Sequence, residues 1–177
     1  MKILYLLRHA KSSWKYTDIP DFERPLNRRG KRDITVMAQI IRSKNVLIDL
    51  VLSSPAKRAK KTIKKVFKIL EYKKEKIVFN QDIYNANVSD IFNILQEVSP
   101  STQHLMLVGH NPAFTDVANL LLANAKIANL PTCGLIGIRF PCSSWADIDE
   151  CSGELLLYEY PKKYKSTEKY ISLEQSV

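Results

Sequence analysis

The chain is poor in the residues that most often announce a special chemistry. Among its 177 residues are only three cysteines, Cys133, Cys142 and Cys151, all in one late segment. An odd number with no CxxC pair argues against a disulfide framework and against a zinc site, so the expectation is reduced thiols packed as small apolar groups. Glycine is scarce too, and Gly109 and Gly134 stand alone, with neither a P-loop nor a dinucleotide fingerprint around them. No apolar stretch approaches the ~20 residues of a membrane helix. The run Ile3 to Leu7 is cut off by Arg8 and His9, short of the apolar region of a secretory signal. These absences lead to the expectation of a cytoplasmic protein with no membrane partner, no metal and no cofactor.

What is present is a basic, ordinary globular composition. Lysine and arginine outnumber acidic residues 27 to 18, a formal charge of +9 that favours anionic partners without choosing among acidic proteins, phosphorylated metabolites and nucleic acid. The length suits one domain, placed at residues 1–160, with a polar, lysine-rich tail at 161–177.

Strand-like and helix-like segments alternate, which predicts a single three-layer α/β domain whose mainly parallel sheet is flanked by helices. Strands are expected at Ile3–Leu7, Ile48–Leu52, Ile77–Phe79, Leu105–Val108, Leu135–Phe140 and Leu155–Tyr158. One helix carries Ile34, Met37, Ala38 and Ile41 at helical spacing behind a cap at Asn27. A second is expected from Ser54-Pro55, burying Ala59, Ile63, Val66, Phe67 and Leu70. A third is capped by Ser89 and presents Ile91, Ile94, Leu95 and Val98, and a fourth starts at Asn111-Pro112 and runs through Val117, Ala118, Leu121 and Leu122.

Two of the three histidines stand just past apolar runs, His9 after Ile3–Leu7 and His110 after Leu105–Val108. In open α/β sheets the crevice beyond the carboxyl ends of the strands is where ligands bind. Arg8 adjoins His9, and Ser53-Ser54-Pro55-Ala56-Lys57-Arg58 brings a second arginine to a strand end. Two guanidiniums and two imidazoles facing one crevice suit a tetrahedral oxyanion, because a guanidinium is a permanently charged fork of donors. Backbone N–H groups after Asn111-Pro112 add positive potential. A histidine there can bind phosphate, donate a proton or accept the phosphoryl group on a ring nitrogen. His104, with nothing basic beside it, reads as a hydrogen-bonded structural residue.

Four motifs occur in order: Leu7-Arg8-His9-Ala10, Arg24-Pro25-Leu26-Asn27-Arg28-Arg29-Gly30, Ser53-Ser54-Pro55-Ala56-Lys57-Arg58-Ala59 and Gly109-His110-Asn111-Pro112. Together they resemble the histidine phosphatase superfamily, the phosphoglycerate mutase-like group, and most of all its small SixA-type phosphohistidine phosphatases. The resemblance runs from residue 3 to about residue 140. It implies that His9 is the nucleophile, that Arg8 and Arg58 grip the phosphoryl oxygens and that His110 stabilises the transferring group. Lys11, Ser12 and Asn111 are further candidates for phosphate or substrate contact.

Many members of the superfamily also carry a catalytic acid after the third strand. Here that segment reads Asp82-Ile83-Tyr84-Asn85-Ala86-Asn87-Val88-Ser89-Asp90, with no acid at the expected place. Asp18, Asp21 or Glu23, in the loop after the first strand, are candidate replacements as proton donor. An alcohol leaving group needs a proton in the transition state, whereas the imidazole of a phosphohistidine leaves more readily. The expected function is therefore a metal-independent phosphatase acting on phosphohistidine in a protein of the histidine-containing phosphotransfer type. A phosphatase of small phosphorylated metabolites is the alternative, and a basic binding module without catalysis is the third reading.

Lys57, Lys60, Lys61, Lys64, Lys65 and Lys68 line one side of the second helix, read either as a solvated face or as a docking surface for an acidic phosphoprotein. A nucleic-acid partner is not expected, since Phe67 points into the core rather than interleaving with the lysines. Trp14 and Tyr16 serve either as a rim over the site or as anchors of their loop.

Overall fold

The computed structural model describes residues 1–15, 17–150 and 152–164. Six strands form one sheet: β1 (Lys2–Arg8), β2 (Leu50–Ser53), β3 (Ile77–Phe79), β4 (His104–Gly109), β5 (Leu135–Phe140) and β6 (Glu154–Glu159). Their spatial order is β3-β2-β4-β1-β5-β6. The first four are mutually parallel and β5 runs antiparallel to both of its neighbours, so the sheet is mainly parallel.

Four helices cover the two faces: α1 (Arg28–Ser43), α2 (Lys57–Leu70), α3 (Val88–Gln96) and α4 (Ala113–Leu121). Leu4 and Leu6 of β1 point into a core shared with Ile91, Ile94, Val117 and Leu121 from α3 and α4. Tyr5 and Leu7 point the other way, among Ile34, Met37, Ile63 and Val66 from α1 and α2. A strand buried on both faces must be apolar throughout, which is why β1 and β4 read as unbroken hydrophobic runs.

The order of strands decides the site. Having run out to the edge at β3, the chain returns through α3 and inserts β4 between β2 and β1. Arg8 pairs in register with Gly109, and His9 N–H donates to the Gly109 carbonyl at 3.0 Å. Two residues a hundred positions apart thereby leave adjacent parallel strands at the same level.

Two helix starts differ from the expectation. The second helix begins at Lys57, and Ala56, in the capping position, has no side chain that caps it. Ser54 is held instead by the sheet, its N–H donating to Val108 O at 2.9 Å, so the extended backbone continues past the end of β2. Arg58 consequently sits in the first turn of α2. The third helix is capped by Asn87 rather than Ser89: Asn87 accepts from Asp90 N–H while Asp90 accepts from Asn87 N–H, a reciprocal box. The Asn27 cap of α1 is present, its side chain accepting from Gly30 N–H.

Pro161–Tyr164 forms one 3-10 turn against the domain, with Pro161 buried and the Tyr164 hydroxyl donating to Glu159 Oε2 at 2.5 Å. The rest of the expected tail, 165–177, lies outside the described residues, as do Tyr16 and Cys151. Cys133 is buried and Cys142 half-buried, both free thiols, and burial pushes both above the ordinary thiol range. No helix among the described residues is long and apolar enough to cross a membrane.

Candidate active site

The site is assembled at the carboxyl ends of β1, β2 and β4. The rings of His9 and His110 face each other, with centroids 5.0 Å apart and planes inclined by 52°. His9 is 8% exposed, and its Nδ1 lies 2.8 Å from Ala10 O. A carbonyl only accepts, so Nδ1 carries the proton and Nε2 keeps its lone pair. That lone pair accepts from Arg58 Nε–H at 3.3 Å. Burial, then the neighbouring His110 and the arginines beyond it, hold the His9 imidazole down at about 3 against the Ala10 hydrogen bond, and burial with Arg58 holds His110 at about 4. Both rings are neutral at physiological pH.

Arg8 donates from Nη1 to Leu130 O at 2.6 Å, which leaves its Nε buried without a hydrogen-bond partner among the described residues. His110 Nε2 is 2.9 Å from Ser54 Oγ, and its Nδ1 is likewise buried and unpartnered. A buried polar atom with no partner costs roughly 1–3 kcal/mol, so two of them on residues flanking His9 suit the cup to an exogenous ligand that pairs them.

Arg58 is buried and fully engaged. Nη1 donates to the Asp21 carbonyl at 2.6 Å, Nη2 to Asp21 Oδ2 at 2.8 Å and Nε to His9. It therefore turns its Nε–H toward His9 in place of the open two-pronged fork expected from the sequence. Thr62 ties this turn to the first strand's loop, accepting from Ala10 N–H at 3.0 Å and donating to Arg58 O at 2.7 Å.

Of the three acidic candidates, only Asp21 reaches the site. Burial pushes its carboxyl upward, but hydrogen bonds from Arg24, Tyr84 and Arg58 outweigh that and hold it at about 2. At neutral pH it is an ionised acceptor with no proton to give. Asp18 accepts from Thr17 Oγ1 at an exposed position, and Glu23 pairs with Lys57 at 3.4 Å. In the segment after β3, Asp90 is committed to the cap of α3 and Asp82 is exposed.

Ser12 Oγ is buried and accepts from Arg24 Nη2 at 2.7 Å, so it supports the loop. Asn111 Nδ2 donates to Leu130 O and Asn129 Oδ1, fixing the segment that receives Arg8. Lys11 is half-buried, and its main chain accommodates α1, whose Gly30 sits where a Cβ would lie 2.2 Å from Lys11 O. His104 pairs with Asp49 at 3.0 Å at the opposite ends of the strands, in the structural role expected of it. Trp14 is 72% exposed with the Arg24 guanidinium over its ring, 3.2 Å from the centroid. The sequence had not singled out Ser54, Arg24 or Tyr84. Each stands inside a segment already quoted, but nothing local says that its polar atom turns inward.

A family model of the histidine phosphatase superfamily (branch 1) matches residues 4–83. An uncharacterised chloroplastic protein of Arabidopsis thaliana is 32% identical over 158 residues, which cover 85% of this chain and 72% of that one. This chain belongs to the histidine phosphatase superfamily. Its fold is the phosphoglycerate mutase-like fold of the SixA proteins. The candidate phosphohistidine phosphatase SixA of Agrobacterium tumefaciens superposes with a TM-score of 0.76 at 27% identity, covering 90% of this chain and 98% of that one. A protein histidine phosphatase SixA complexed with tungstate gives 0.77 at 19% identity, covering 92% and 99%. A mycobacterial glucosyl-3-phosphoglycerate phosphatase gives 0.63 at 12%, covering 90% and 98%. As a histidine phosphatase the chain is a hydrolase that acts on a phosphorylated substrate.

Proposed function

We propose that this histidine phosphatase removes the phosphoryl group from phosphohistidine in a protein, by way of a phosphorylated His9. The observation that carries the reading is the neutral His9 Nε2, which takes only a 3.3 Å hydrogen bond from Arg58 Nε–H and shares one cup with the unpartnered Arg8 Nε and His110 Nδ1. The lone pair attacks phosphorus as the bond from phosphorus to the substrate imidazole breaks, and that electron pair leaves on the imidazole nitrogen. Arg8 and Arg58 N–H groups oppose charge on the equatorial oxygens. Ser54 donates to His110 Nε2, freeing Nδ1–H for a phosphoryl oxygen. Water then attacks phospho-His9, the electron pair of the breaking bond returns to Nε2, the water proton passes to bulk solvent, and phosphate departs.

The leaving group follows from the carboxylates. With Asp21 ionised by its three donors, the cup has no side-chain acid ready for an alkoxide among the described residues, whereas an imidazole protonated on its far nitrogen leaves neutral. A protein substrate is further supported by the row Lys57, Lys60, Lys61 and Lys64, exposed on the helix that carries Arg58 and suited to an acidic partner. The test compares kcat/KM for a phosphorylated histidine-containing phosphotransfer domain with a panel of sugar and amino-acid phosphates, using His9→Ala as the blank. Preference for the phosphoprotein by two orders of magnitude or more is expected. Equal or faster turnover of a metabolite overturns the assignment of substrate, and turnover that survives His9→Ala overturns the mechanism.

A further inference from the structure

We infer that Asp21 is a positioning residue of the reaction, the keystone of a hydrogen-bonded ring that aims Arg58 at His9. The inference rests on His9 being the phosphoryl acceptor. The ring can be followed bond by bond. From the loop after β1, Ser12 Oγ and Ser13 O accept from Arg24 Nη2 and Nε at 2.7 and 3.2 Å. Arg24 Nη1 donates to Asp21 Oδ1 at 2.8 Å. Asp21 in turn takes Nη1 of Arg58 on its carbonyl and Nη2 on Oδ2, and Arg58 Nε closes the circuit on His9, three residues before Ser12. The Tyr84 hydroxyl adds a third donor to the carboxylate at 2.9 Å.

Three features indicate that this is a device for aiming rather than an incidental surface ion pair. Arg24 and Arg58 are each only 7% exposed and spend all three guanidinium nitrogens inside the ring, so neither can swing. Arg58 stands in the first turn of α2, where the helix dipole opposes a cation, and that turn has no acidic residue of its own. Asp21, arriving from another segment, supplies the missing negative charge. A guanidinium held at both terminal nitrogens is fixed in its plane, and its Nε–H is then directed at His9 Nε2. The same carboxylate that would be useless as an acid is thus suited to fix where the electrophilic N–H stands.

The opposite role is also chemically coherent. A carboxylate on Arg58 could occupy the place of the phosphoryl oxygens and have to be displaced by substrate. The two roles predict opposite signs, so one set of variants decides between them. Asp21→Asn, Arg58→Ala and the double variant are assayed with an activated aryl phosphate for kcat and KM and titrated with tungstate, with thermal unfolding to confirm that each folds. Asp21→Asn is expected to lower kcat roughly 10- to 100-fold, the scale of a misplaced catalytic group, and to weaken tungstate binding.

Because Asp21 acts through Arg58, adding Asp21→Asn to Arg58→Ala should cost nothing further. Guanidinium ion should restore part of the activity of Arg58→Ala but none of the double variant, which has lost the seat for it. Multiplicative losses in the double variant, equal rescue in both backgrounds, or tighter tungstate binding in Asp21→Asn would each overturn the inference. A wild-type protein that turns over no phosphate ester or phosphohistidine would strike at the proposed function instead, and the tungstate titrations would still report on the ring.

Discussion

Acidification should destabilise this protein through the two histidines of the site, His9 and His110, between pH 7 and pH 5. His9 and His110 are buried and neutral, held at about 3 and about 4, against an ordinary value of 6.5 in the unfolded chain. Their folded values are depressed, so their contribution to stability is fully present above pH 6.5 and is lost as pH falls toward 4 and then 3, where the native state at last binds the protons. Between pH 7 and pH 5 the unfolded state gains roughly 0.7 of a proton at each site while the native state gains almost none. Linkage makes that about 2 kcal/mol for each histidine and about 4 kcal/mol for the pair, a large share of the ~5–15 kcal/mol that holds a domain together.

Urea unfolding at pH 7 and pH 5 measures the loss, and the same pair of measurements on His9→Asn and His110→Asn isolates each share. Each variant should lose about 2 kcal/mol less than the parent over that interval. Every other group is common to all three backgrounds and cancels in the difference. An equal loss in the parent and in both variants would show that the rings are not neutral in the folded protein, and the lone pair assigned to His9 Nε2 would go with it.

Other perturbations follow from named contacts. Gly30→Ala places a methyl 2.2 Å from Lys11 O, so α1 must lift off the loop after β1; thermal unfolding should show a loss of several kcal/mol or a protein that does not fold. Ser54→Ala removes the group on His110 Nε2 and frees the ring to rotate; kcat should fall about 10-fold or more with little change in melting temperature. Tungstate should stabilise the parent by about 2.7 kcal/mol at a hundred times its dissociation constant, and Arg8→Ala should abolish that gain in a thermal shift titration. Asn87→Ala removes the side-chain half of the cap on α3 and leaves the backbone N–H that Asp90 accepts, for about 1 kcal/mol in urea unfolding and no change in kcat.

All six strands are legible as sequence to within two residues, most plainly β1 and β4, because a strand covered by helices on both faces has no choice but to be apolar. The helix starts are less legible. Ser54-Pro55 and Ser89 are sound local signals, yet the first was overruled by a sheet hydrogen bond from Ser54 to Val108 and the second by Asn87, two residues earlier. A capping side chain works only if the backbone around it is free to turn, and that freedom is settled by tertiary contacts.

The sequence by itself determined that this chain is a basic α/β domain with two histidines and two arginines at strand ends, since residue type and apolar periodicity are local facts. Only the tertiary structure decided how those groups are used. Inserting β4 beside β1 brought His110 within 5.0 Å of His9, and folding the Asp21 loop against α2 turned an expected acid into the anchor of Arg58. The reason is physical: a proton's affinity for a carboxylate or an imidazole depends on the charges and the water around it, and those neighbours come from distant parts of the chain.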